Sequence, residues 1–212
     1  MATDRSGQGE GRILIGGPGR SGTTLLVQYF TALGFDTGYT VEQALSRVDP
    51  IANAGLENPL SKGDLPYVAK SPYFGQKLAR HLDRGDIEVK CCIIPVRELF
   101  AAAESRRFVA DQAGAAGKDP LDQPGGLTFG AKQNPRRQEQ KVAVQLYKVI
   151  HALLRHDIPI HFLKFPEFAR GDQDLFGALR PLLAEHGVTE QESQTAFERV
   201  VDRSRIHDFK RK

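Results

Sequence analysis

The sequence predicts an α/β sandwich built on a mainly parallel sheet, and three observations point there. Short apolar runs alternate with longer segments of helical periodicity. The most apolar run, Ile87 to Val96 (IEVKCCIIPV), is of the kind that buried parallel strands use. A glycine-rich stretch then joins the first apolar run to the first helical segment, as in a strand–loop–helix unit. With 212 residues, 40% hydrophobic and 26% charged, the chain suits one domain that buries about 70% of its unfolded surface.

Taken in order, residues 1–11 are polar and read as a disordered leader, and Arg12 to Gly16 is a short strand bounded by glycines. A helix begins at Ser21 or Gly22. Leu25, Leu26, Tyr29, Phe30 and Leu33 recur along it at helical spacing, and Gly34 stops it. Residues 36–65 break into turn residues around a short helix, Val41 to Val48, of the irregular kind found at the mouth of a site. Tyr67 to Lys70 (YVAK) is a strand, Tyr73 to Leu82 a helix, Ile87 to Val96 a strand and Leu99 to Val109 a helix.

Residues 111–138, rich in Gly, Pro, Gln and charge, are long for a connection and read as a flexible lid or insert. Val142, Leu146, Val149, Ile150, Leu153 and Leu154 then mark a helix over 139–156. Ile158 to Phe165 (IPIHFLKF) is a strand, and Leu175 to His186 a helix. The domain is expected to span 12–205, with 206–212 as a basic tail.

Composition excludes several classes. A formal charge of +3 is too small to argue for nucleic acid, though it suits a protein that handles a polyanionic small molecule. No apolar run approaches the ~18 residues of a membrane span, and no basic amphipathic stripe suggests a membrane surface. The two cysteines are adjacent, Cys91 and Cys92, which rules out a disulfide framework and a Cys-x-x-Cys metal site, so a reducing, cytoplasmic setting is expected. The histidines show no metal-ligand spacing.

The stretch Gly16 to Leu26, GGPGRSGTTLL, has the features of a phosphate-binding loop. A strand-to-helix loop of this kind offers unpaired N–H groups and the positive end of a helix dipole to an anion. Ser21, Thr23 and Thr24 add hydroxyl donors, and Arg20 adds a charge. ATP-hydrolysing loops carry a lysine at the start of the helix and a metal-holding acid at the end of a second strand. Here the loop reads Gly22-Thr23-Thr24, and the strongest strand runs into Arg97, which argues against a metal-dependent kinase.

GPGRSGTTLL resembles the 5′-phosphosulfate loop of sulfotransferases that use 3′-phosphoadenosine-5′-phosphosulfate (PAPS), with Gly19 where that family commonly has proline. The resemblance implies that Gly19, Arg20, Ser21, Gly22, Thr23 and Thr24 surround the donor's 5′ end. The segment CCIIPVRELFAAAESRRF resembles the family's 3′-phosphate motif, a strand-end Arg followed eight residues later by a helical Ser, which implies that role for Arg97 and Ser105. Either Arg106 or Arg107 could assist.

VAKSPYFG resembles the family's Lys-x-Pro segment, implying that Lys70 acts with Arg20 on the transferring group. In the branch of protein-tyrosine and carbohydrate sulfotransferases, a Glu about twenty residues beyond the loop cation is the base. Glu42 has that spacing, with His81 and Asp49 as its rivals. In the same family Glu167 corresponds to a turn or helix-cap position, and the likeness covers about residues 12–205.

The expected fold is therefore a P-loop-like three-layer sandwich. The expected activity is metal-independent sulfuryl transfer from PAPS to a hydroxyl or amine, releasing adenosine 3′,5′-bisphosphate. A carbohydrate, a peptide tyrosine or a small natural product all remain open as acceptor, as does the oligomeric state. An ATP-dependent small-molecule kinase and a non-catalytic nucleotide-binding module are the alternatives. Lys132, Arg136, Arg137 and Lys141 read as a solvated face.

Overall fold

A computed structural model describes residues 5, 7, 11–60, 65–71, 74–128 and 134–209. Strands β1 (Arg12–Ile15), β2 (Val68–Lys70), β3 (Val89–Arg97) and β4 (Ile160–Phe165) form one sheet in the order β2-β1-β3-β4. Every pairing is parallel, as the apolar runs predict. The helices are α1 (Thr23–Ala32), α2 (Val41–Ser46), α3 (Phe74–Arg84), α4 (Leu99–Ala115), α5 (Gln138–Arg155), α6 (Glu167–Arg170), α7 (Leu175–Glu185) and α8 (Glu190–Val200).

Alternate strand residues face opposite sides of the sheet. Ile13, Ile15, Cys91, Ile93 and Leu163 pack with residues of α1, α7 and α8, among them Leu26, Phe30, Leu179 and Phe197. Leu14, Cys92 and Ile94 pack with Leu78 and Leu82 of α3 and with Val149 and Leu153 of α5. Helices thus cover both faces. Burial raises the Cys91 thiol to about 12, the behaviour of a packed apolar side chain rather than a reactive one.

The strand order decides where a site can form. From β1 the chain leaves toward β2, and from β3 it leaves toward β4, on the opposite side. Their carboxyl ends therefore flank a crevice, the place where open parallel sheets bind ligands. The glycine loop follows β1, Lys70 ends β2 and Arg97 ends β3, so all three lie along this one edge.

Several expectations need correction. α4 runs on to Ala115, inside the segment expected to be aperiodic, because Val109, Ala110 and Ala113 continue a buried helical face. α8 was not expected, yet Thr189 and Glu192 form a reciprocal capping box at its start. Arg5, in the expected leader, is buried, and its guanidinium donates to the carbonyls of Leu33 and His186, the C-caps of α1 and α7. Helix C-termini attract a cation, which ties this residue down. Among the described residues, no helix is long and apolar enough to cross a membrane.

Candidate functional site

Between β1 and α1 the backbone repeatedly enters the left-handed region, at Gly17 (φ 117°), Gly19 (74°), Arg20 (63°) and Gly22 (84°). Gly22 is the N-cap of α1. It makes no side-chain cap, and the first turn holds no acid, so the helix presents its N–H groups and dipole uncompensated. The position also excludes a side chain, since a Cβ on Gly22 would stand 2.8 Å from Phe165 Cδ2 and from Phe168 Cζ. Arg20 is the exception in this series, a residue with a Cβ in a conformation that costs such residues roughly 1–2 kcal/mol. Such strain persists only where its surroundings hold it.

Those surroundings are other cleft residues. The Arg20 carbonyl accepts from Arg97 Nη1 at 3.1 Å, its Nε donates to Ser105 Oγ at 3.1 Å, and its Nη1 donates to the Ala52 carbonyl. Arg97 is half-buried at the end of β3. Its Nη2 donates to the His207 carbonyl, and its guanidinium lies 5.1 Å from the Phe165 ring centroid and 5.4 Å from that of Phe209. His207 and Phe209 thus pack against the β3 end, within the segment expected to be a basic tail.

Lys70 is 3% exposed, and its ammonium donates to Thr24 Oγ1 (2.9 Å), the Gly55 carbonyl (2.6 Å) and Glu57 Oε1 (3.0 Å). Desolvation lowers its pKa and Glu57 opposes that shift. Among the described residues Arg20, Arg97 and Arg106 make no ion pair, although Asp49 lies near Arg20 and Asp208 near Arg97. Burial, then the nearby Arg97, lowers Arg20 to about 10. Burial likewise lowers Arg97 to about 10, and burial with nearby Arg20 lowers Arg106 to about 10. A cation that holds its proton less tightly in the fold destabilises the fold while charged, and a bound anion reverses that effect.

A cleft of about 980 Å³ gathers Gly19, Arg20, Gly22, Thr23, Thr24, Lys70, Arg97 and Ser105. Ser21 is buried and does not line the cleft; among the described residues its hydroxyl has no hydrogen-bond partner, and neither have Arg97 Nε and Arg106 Nε. Glu42 is not among them. It stands exposed in the first turn of α2, which the Thr40 capping box starts, and does not line the cleft. Asp49 caps its own turn, accepting from Ile51 N and Ala52 N, and also receives Gln123 Nε2. His81 pairs with Asp86 near the end of α3.

The carboxylate beside Lys70 is Glu57, which lines the cleft. No periodicity marks its loop, and no motif signalled it. Of the two candidate arginines on α4, Arg107 pairs outward with Glu104 and Glu139, whereas Arg106 is 7% exposed and lines the cleft. Ala102, Arg106, Val109 and Ala113 share one helical face, a signal present in the sequence. Leu121 to Thr128 of the expected lid line the cleft as well. Arg136 and Arg137 are exposed, Lys141 lies outside the cleft, and Lys132 lies outside the described residues.

The chain matches no protein-family model, no curated protein and no solved structure. Chemically, the cleft offers two cationic loci, one at the head of α1 and one at the end of β3, with a Lys–Glu pair beside the first. Among the described residues no group of three or more His, Cys, Asp or Glu side chains is placed to hold a metal ion.

Proposed function

We propose that this chain is a PAPS-dependent sulfotransferase with a P-loop-like sandwich fold. One observation carries the reading: a single cleft at the sheet's switch point collects an uncapped helix head, a strand-end lysine and a strand-end arginine, with excess buried positive charge. The residues fit such a donor. Among the described residues Arg97, which lines the cleft, has an Nε group without a hydrogen-bond partner, a donor that an anion would satisfy.

In this reading Arg20, Ser21, Gly22, Thr23 and Thr24 hold the 5′-phosphosulfate, and Arg97 with Ser105 hold the 3′-phosphate. PAPS supplies the sulfuryl group, whose sulfur–phosphate oxygen bond breaks as the bond to the acceptor oxygen forms. Lys70 and Arg20 neutralise charge on the departing oxygen. The acceptor's proton goes to Glu57 rather than to Glu42, because Glu57 stands beside Lys70 in the cleft. Adenosine 3′,5′-bisphosphate leaves.

Calorimetric titration with adenosine 3′,5′-bisphosphate and with ATP–magnesium tests this, together with transfer of labelled sulfate from PAPS to phenol, carbohydrate and peptide acceptors. Tight magnesium-independent binding of the bisphosphate and label transfer are expected. Preference for ATP–magnesium with magnesium-dependent turnover would sink the reading.

A further inference from the structure

Arg106 has no role in the reading above, and burying a guanidinium without an acid is unfavourable. It lies on α4 directly after Ser105 and is 7% exposed, and among the described residues it touches no carboxylate. Its fork joins two separate loops. Nη2 donates to the carbonyl of Pro18, in the glycine loop, and Nη1 donates to the carbonyl of Gly126 at 2.7 Å. A planar fork can span two carbonyls in this way, whereas a lysine offers a single point of charge.

The segment that Arg106 holds through Gly126 closes over Arg20. A Cβ on Gly125 would stand 3.1 Å from the Cβ atoms of Ala52 and Ala54 and 3.3 Å from Arg20 Nη1. Gln123 Nε2 donates to Asp49 Oδ1 at 2.8 Å, joining the same two segments. Arg20 and Arg106 repel each other across this contact. An anion on the glycine loop screens that repulsion and so favours the closed arrangement.

We propose that Arg106 is a positioning residue that couples anion binding at the glycine loop to closure of the 119–128 loop. This rests on the reading of the glycine loop as an anion site. Coupling of this kind is reciprocal: the factor by which closure tightens the anion equals the factor by which the anion favours closure.

Amide hydrogen exchange over 119–128 and titration with adenosine 3′,5′-bisphosphate test it in the full chain, in Arg106→Ala and in Arg106→Lys. In the wild type the bisphosphate should slow exchange in this loop. In Arg106→Ala, loop exchange should rise without ligand, bisphosphate should bind roughly tenfold or more weakly, and it should no longer protect the loop. Exchange over α7 and α8 should stay as in the wild type, which separates the effect from general unfolding. Arg106→Lys should fail similarly, and dilute guanidinium chloride should restore part of the affinity of Arg106→Ala where sodium chloride does not.

Unchanged loop exchange or unchanged affinity in Arg106→Ala overturns the proposal, as does full function of Arg106→Lys. If the wild type binds neither bisphosphate nor inorganic sulfate, the anion-site reading itself fails. That result is distinct from a wild type that binds while its loop remains unresponsive, which defeats the coupling alone.

Discussion

At the head of α1 the cleft's positive character comes from backbone N–H groups and from Arg20, held in a left-handed conformation by its neighbours. At the end of β3 it comes from one side chain, Arg97. Both Nη groups there already donate to carbonyls, and aromatic rings lie near its guanidinium. At the first half the helix head carries no side-chain cap, so an anion can reach its backbone N–H groups without displacing one, while Arg20 already donates to Ser105 and Ala52 and Lys70 to Thr24. At the second half both Nη groups already have carbonyl partners and Nε has none among the described residues, so a ligand that engages Nη2 competes with the His207 carbonyl. Affinity contributed by the two halves should therefore differ in size and in what limits it.

The largest effect should come from the chemistry beside the first half. Glu57→Gln should lower turnover by about 10²-fold or more while leaving bisphosphate affinity nearly intact, whereas Glu42→Gln should leave turnover unchanged. Steady-state kinetics on both variants decide between the two carboxylates, and the reverse pattern would return the role to Glu42.

Next in size is the contrast between the two arginines. Arg20→Ala should weaken any 5′-anionic nucleotide by roughly 10- to 100-fold, since a buried charge-assisted donor is lost. Arg97→Ala should cost less, roughly tenfold, and only for a ligand bearing a 3′-phosphate, because part of the gain there is offset by the lost tail contact. Calorimetry with adenosine 3′,5′-bisphosphate and adenosine 5′-monophosphate measures both. Equal losses for the two nucleotides in Arg97→Ala would make that residue structural.

The smallest change should follow from ending the chain at Arg205. Removing the segment that competes for Arg97 should tighten bisphosphate binding a few-fold, about 1 kcal/mol or less. Weaker binding instead would make Ile206 and His207 part of the ligand's own pocket.

Much of this was legible in the sequence because it is local. β1, the glycine loop and α1 follow from one continuous stretch, and Lys70 and Arg97 stand at strand ends that apolar runs announce. What escaped depends on how irregular chain folds back. Glu57 reaches Lys70 only because the aperiodic 49–57 segment turns at Asp49, whose carboxylate collects Ile51 N and Ala52 N. Glu42 has the expected count of residues from Arg20 but stands on an exposed face of α2, outside the cleft. Choosing Arg106 over Arg107 required the phase of α4, which the buried Ala102, Val109 and Ala113 supply. Arg5 was invisible because its partners, two helix C-termini, come from distant parts of the chain.

The contact between Phe209 and Arg97 has a spectroscopic consequence. The sequence contains no tryptophan, so the protein has no indole emission of its own. Phe209→Trp would install a single fluorophore against the guanidinium that Phe209 now faces at 5.4 Å. Its emission would follow the position of the carboxyl-terminal segment directly, turning the occupancy of the β3 end into an optical signal.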